Sequence, residues 1–181
     1  MHDDYFFHIP ELDLNDEQRS RLYKKYLVSK ITHKGYNQNT HNYLNTFHVD
    51  SDIFEGIYSK DKILQIESLC ENYPTADKFK RESSYEFLKT IGEVKMHRDP
   101  VRLAVLTIPI KHDNSKLEFW NEQETEIIKE LEYNHKTYIM RTKTPHCVSS
   151  SKNARVFLQG SIFTRDFDQI QIDYLNGRLF K

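Results

Sequence analysis

After residue 84 the chain breaks into eight short runs of β-forming residues separated by polar interruptions. They cover 85–91, 92–97, 102–110, 117–120, 125–131, 137–142, 146–149 and 155–163. Eight such runs at close spacing suggest a single antiparallel body, an all-β sandwich or barrel. The first half reads differently. Residues 1–14 form an irregular or extended arm broken by Pro10. Asn15 or Asp16 caps a helix that reaches about Val28, with Leu22, Tyr23, Tyr26 and Leu27 as its apolar stripe. Residues 30–50 are polar and read as loop, with room for one short strand. Ser59 caps a second helix bearing Ile63, Ile66, Leu69 and Cys70, and Pro74 stops it. Asp166 to Lys181 forms a closing helix or tail. The expected fold class is mainly β with N-terminal helices. It is one domain, in which 1–84 is a helical or irregular support, 85–163 the β core and 164–181 the C-terminal segment.

Length and composition agree with one cored domain. The chain has 181 residues, and although hydrophobic content is only 38%, eleven Phe and eleven Tyr supply bulk for an interior. Lys plus Arg number 26 against 27 Asp plus Glu, which gives no long-range pull toward nucleic acid or an anionic membrane. No apolar run reaches membrane-spanning length, and the acidic start Met1-His-Asp-Asp lacks a signal-peptide pattern. Two cysteines, Cys70 and Cys147, fit a reducing compartment better than a disulfide framework. A soluble cytoplasmic protein is expected. Five glycines leave no Gly-rich phosphate loop, no Gly-x-Ser-x-Gly elbow occurs, and no paired cysteines suggest structural zinc. The basic run Lys78-Phe79-Lys80-Arg81 reads as a solvated turn.

Three His-x-Asp triplets occur, at His2, His48 and His97. Nine His and thirteen Asp in a chain of this length give about 0.65 by chance, so context must choose. The first lies at a terminus and the second reads as a solvated turn ending at Asp50. The third, His97-Arg98-Asp99, ends a strand-like run and precedes the strongest β segment, Arg102 to Ile110. Side chains at i and i+2 of a strand share a face, so His97 and Asp99 can reach one ion together. His146 opens a later run and can supply the third ligand. Two imidazoles and one carboxylate on one face of a metal, with the remaining positions open, is the ligand set of non-haem Fe(II) oxygenases.

Arg155 opens the last long run, nine residues after His146, on a face that also carries Phe157 and Gln159. A buried guanidinium among aromatics calls for an anion, and a dicarboxylate would supply it through a bidentate contact. Each residue also has an ordinary reading. A histidine in a β protein is usually core or surface, and Arg155 could pair with an internal acid such as Glu118. Glu118 and Trp120 share a face that could line a pocket; His112 and His135 read as loop residues without a role, and Tyr36, Tyr43 and Tyr58 as possible substrate contacts.

The segment His97-Arg-Asp99-Pro-Val-Arg102-Leu-Ala-Val-Leu-Thr-Ile-Pro-Ile110, followed in order by His146 and Arg155, resembles the 2-oxoglutarate and Fe(II)-dependent oxygenase superfamily, and in particular small oxygenases of phages and bacteria. The resemblance covers roughly residues 85–163. It implies a double-stranded β-helix, a cupin-like jelly roll. It implies that His97, Asp99 and His146 bind Fe(II), and that Arg155 grips the distal carboxylate of the cosubstrate 2-oxoglutarate. Arg102 and Thr107 fall where related proteins place polar residues near cosubstrate or substrate, although Asn is usual at the position of Thr107. The implied activity is that of a dioxygenase, by default a hydroxylase, which consumes O2 and 2-oxoglutarate, releases succinate and CO2, and acts on an unidentified organic substrate. Two other readings carry different consequences: a cupin-like protein that binds metal or ligand without oxygen chemistry, and a silent module that keeps only the barrel.

Overall fold

The computed structural model describes residues 3–29, 33–37, 42–70, 84–99, 101–112, 114–150 and 152–180, with 33–37 and 42–48 described as backbone only. In chain order the elements are β1 (Phe6–His8), α1 (Asp16–Val28), β2 (His33–Asn37), β3 (Asn42–Val49), α2 (Lys60–Leu69), β4 (Tyr85–Ile91), β5 (Val94–His97), β6 (Ala104–Lys111), β7 (Lys116–Trp120), β8 (Ile127–Glu132), β9 (Tyr138–Arg141), β10 (His146–Val148), β11 (Arg155–Ile162) and α3 (Phe167–Leu175). The strands form two antiparallel sheets. One has seven strands in the order β1-β9-β6-β11-β4-β3-β2, and the other four, in the order β5-β10-β7-β8. Strands distant in sequence lie side by side in both, the crossing pattern of a jelly roll.

All eight expected strand runs are present, with no end shifted by more than two residues. The N-terminal half departs from expectation. Segment 30–50 holds two strands, β2 and β3, paired from His33↔Thr46 to Asn37↔Asn42, and β3 continues onto β4. His48 therefore lies on a strand rather than in a turn. The arm adds β1, paired with β9 from Phe6↔Met140 to His8↔Tyr138. Three strands of the larger sheet thus come from the segment read as a helical or irregular support. Both helix starts are as expected. Asn15 closes a capping box with Gln18, and Ser59 accepts from the Lys62 amide. Pro74 and the Lys78–Arg81 run lie outside the described residues.

The central strands β6 and β11 of the larger sheet are buried on both faces, and alternation sorts their side chains. On β6, Leu106, Ile108 and Ile110 face the helices, where they join Leu22, Ile66, Phe87 and Leu158 in one core. Val105 points the other way, into a second core between the sheets with Leu117, Phe119, Tyr133, Met140 and Phe157. On β11, Val156, Leu158 and Ile162 belong to the helix side, while Arg155, Phe157 and Gln159 point between the sheets. Gly160 occupies the helix side because nothing larger fits: a Cβ there would stand 2.6 Å from Cys70 Sγ at the end of α2. Among the described residues no helix is long and apolar enough to cross a membrane.

Candidate metal centre

The short strand β10 lies between β5 and β7, and its register puts His146 directly opposite His97. The two rings stand 4.4 Å apart between centroids. Asp99 lies two residues past the end of β5, where its amide donates to the Thr142 carbonyl at 3.0 Å. The carboxylate therefore comes from the irregular chain just past the strand, two residues beyond His97. Its Oδ1 is 3.9 Å from His97 Nε2. One ligand atom from each of His97, Asp99 and His146 lies within 4.8 Å of the others, and among the described residues no other three metal-ligating side chains gather in this way.

The side chains around the three residues fit a metal's requirements. His97 Nδ1 is 2.8 Å from the Lys95 carbonyl, and His146 Nδ1 is 2.8 Å from the Thr144 carbonyl. A carbonyl can only accept, so each Nδ1 carries the hydrogen and each Nε2 keeps its lone pair for an ion. Asp99 is oriented by Arg102, whose Nε and Nη2 both donate to Oδ2, at 2.8 and 2.6 Å, leaving Oδ1 toward the imidazoles. Burial pushes the Asp99 carboxyl up, but Arg102, His146 and His97 outweigh it and hold the group below its ordinary range. Burial, reinforced by the neighbouring His97, lowers His146 to about 4. Both shifts favour the forms that bind metal, a carboxylate and a neutral imidazole.

A cavity of about 90 Å³ opens from this cluster between the sheets. Its wall includes His97, His146, Arg102, Arg155, Gln159 and Tyr133, among apolar side chains such as Phe119 and Phe157. Arg155 has no exposed surface. Its Nε donates to Thr90 Oγ1 at 3.1 Å, and its Nη1 to Ser115 Oγ at 3.1 Å and the Ser149 carbonyl at 3.2 Å. Nη2 donates to the Gly92 carbonyl. These hydrogen bonds fix the guanidinium's direction at the cavity wall. Glu118, suggested as an internal partner for Arg155, instead accepts from Cys147 Sγ at 3.3 Å. That contact turns Cys147 away from the centre, and burial pushes its thiol up to about 12.

The second arginine ties the two regions together. Arg102 Nη1 donates to Gln159 Oε1 at 3.2 Å, and Glu86 Oε1 lies 3.9 Å from the same nitrogen. Gln159 Nε2 donates in turn to Thr107 Oγ1 at 3.4 Å. Thr107 is buried and reaches the centre only through that glutamine. Sequence reasoning did not find Tyr133, whose hydroxyl is held up at about 12 by burial although both Arg155 and Arg102 pull it down. It follows β8 in an irregular segment, and no spacing marks it. Phe119 and Leu117 line the cavity, whereas the Glu118–Trp120 face was expected to. Tyr58 is not available to a substrate, because its hydroxyl donates to the Leu12 carbonyl at 2.6 Å. Tyr36 and Tyr43 lie where side chains are not described.

No family model matches the chain, and no curated protein does. Solved structures do. A prolyl-4-hydroxylase from Pseudomonas putida superposes with a TM-score of 0.55 at 13% identity, over 88% of this chain and 92% of that one. A prolyl hydroxylase from Trichoplax adhaerens, in complex with a hypoxia inducible factor oxygen degradation domain peptide fragment, gives 0.56 at 12% identity, over 87% and 83%. The non-heme alpha ketoglutarate dependent epimerase SnoN from nogalamycin biosynthesis gives 0.53 at 9% identity, over 86% and 76%. At these identities the likeness is one of architecture. In fold, this chain resembles the 2-oxoglutarate/Fe(II) oxygenases, and the jelly roll implied by its motif order is the jelly roll it has.

Proposed function

We propose that the protein is a 2-oxoglutarate- and Fe(II)-dependent dioxygenase that hydroxylates an organic substrate, with His97, Asp99 and His146 as the iron ligands. The observation that carries this reading is the convergence of the three ligand atoms within 4.8 Å beside a cavity whose wall also holds a fully buried arginine. A bare metal-binding cupin has no need of that arginine, whereas a dicarboxylate cosubstrate does.

The residues divide the work by position. His97 and His146 each present Nε2, held by the Lys95 and Thr144 carbonyls, and Asp99 presents Oδ1 while Arg102 occupies Oδ2. Three protein ligands leave room for a keto acid and O2. Ferrous iron, when bound, supplies the oxidative decarboxylation of 2-oxoglutarate to succinate and CO2 that is coupled to hydroxylation. Arg155 binds the distal carboxylate and sets the cosubstrate's depth, with Thr90 and Ser115 holding the guanidinium in place. Tyr133, neutral at physiological pH, faces the same cavity and can donate a hydrogen bond to the bound anion. Phe119, Phe157, Val105 and Met140 keep water out of the space between the sheets.

The test is succinate release from 2-oxoglutarate by the anaerobically iron-loaded protein on exposure to O2, with a screen of amino acids, peptides and nucleotides for stimulation. Slow uncoupled turnover that a substrate accelerates is the expected result. Iron bound with 2-oxoglutarate left intact would instead identify a cupin-like binder, and binding of neither would identify a silent barrel.

A further inference from the structure

A second pair of histidines lies at the other end of the larger sheet. His112 follows the last residue of β6, and His135 sits in the segment leading into β9. These strands are hydrogen-bonded neighbours, in register from Ala104↔Arg141 to Thr107↔Tyr138. The continuation of that ladder brings together two side chains 23 residues apart, with Nε2 atoms 3.3 Å from each other. The rings meet edge to face, with centroids 4.2 Å apart and planes at 68°.

The separation discriminates between explanations. Nitrogen donors usually keep about 2.7–3.2 Å to an acceptor, so an imidazole–imidazole hydrogen bond at this distance would be a long one. Two nitrogens each about 2.0–2.1 Å from one tetrahedral ion stand about 3.3–3.4 Å apart. The same nitrogen of both rings points at the shared space, as a chelate requires. The charges acting on His135 are Arg19 and Asp16 of α1, and these pair with each other at 2.7 Å.

We propose that His112 and His135 form a second metal site, which takes a divalent transition ion of the zinc type through both Nε2 atoms with water completing the shell. Imidazole suits zinc, copper and nickel, and the exposure of His135 admits the ion and its waters. Bound there, the ion ties the exit of β6 to the entry of β9. Ten residues of extended chain separate His112 from Arg102, so the site stands on the order of 30 Å from the iron centre and acts independently of it.

The experiment is calorimetric titration of the chelator-stripped full chain with Zn(II) at neutral pH, where the triad also takes zinc. The wild type should bind two equivalents. H112Q, H135Q and H97A should each bind one, and the H97A/H135Q double variant none. His135 is exposed, so its replacement leaves folding intact. As a check that needs no variant, Zn(II) should shift the Nε2 nitrogen resonances of both His112 and His135 in the wild-type protein. A wild-type stoichiometry that H135Q leaves unchanged, or unmoved Nε2 resonances, would overturn the proposal and leave the pair as a simple hydrogen bond.

Discussion

His146 faces His97 across the β5–β10 ladder with its ring 4.4 Å away, and each ring is fixed by the carbonyl two residues before it. Strand register and main-chain acceptors together fix how the two Nε2 atoms meet.

Removing any ligand should therefore abolish chemistry and spare the fold. His97→Ala, Asp99→Ala and His146→Ala are each expected to reduce succinate release to background while the circular dichroism spectrum stays native. Ordinary turnover in any one of them would reject the triad.

Arg155→Ala should raise the 2-oxoglutarate concentration needed for half-maximal turnover by roughly tenfold to a hundredfold, the worth of about 1.5–3 kcal/mol for a charged hydrogen bond. Arg155→Lys should recover part of it, because one ammonium cannot reproduce the fork. An unchanged concentration dependence, with lost thermal stability, would assign Arg155 to folding alone.

Arg102→Gln should weaken iron binding by about 10–100-fold, the usual cost of losing the group that orients a ligand. The measurement is equilibrium titration with Mn(II) or Fe(II) under anaerobic conditions. Unaltered affinity would show that Asp99 needs no orientation from Oδ2.

Acid should destabilise the metal-free protein in a defined window. His146 titrates near 6.5 when unfolded and at about 4 when folded, chiefly because it is buried, so the unfolded chain takes up the proton first. The stabilisation is complete above pH 6.5 and is lost as the pH falls toward 4. It amounts to about 3 kcal/mol at 1.36 kcal/mol per unit. Asp99, held below its ordinary range, adds a further loss at still lower pH. Urea midpoints between pH 7.5 and 4.5 would measure the slope, and His146→Asn should flatten it.

Gly160→Ala should destabilise by about 1–3 kcal/mol, because the new Cβ meets Cys70 Sγ at 2.6 Å. Cys70→Ala in the same chain should recover most of that loss. Simple additivity in chemical denaturation would show that the two positions are not coupled.

The β core was legible because its runs of β-formers are bounded by polar breaks and buried on one or both faces. The strands β2 and β3 were not, since β2 is mostly polar and Asn42, Asn45 and His48 interrupt the β-formers of β3, so pairing with neighbouring strands decides there. The three-residue β1 is too short to carry any period. Within the site, the order His97, Asp99, His146, Arg155 was readable as a motif, although Asp99 lies two residues beyond the end of its strand. The hydrogen bonds that cradle Arg155 reach residues 90, 92, 115 and 149, on three segments whose convergence no spacing expresses. Tyr133 and the His112–His135 pair were missed for the same reason: tertiary pairing, not sequence distance, makes them neighbours.

The acceptors that steer the two imidazoles are main-chain oxygens of Lys95 and Thr144, so the steering is almost invisible to genetics. A codon change at either position replaces a side chain and leaves the oxygen where it was. Variation can tune the arginines, the tyrosine and the apolar wall, yet it can reach the tautomer of the histidines only by bending the polypeptide itself.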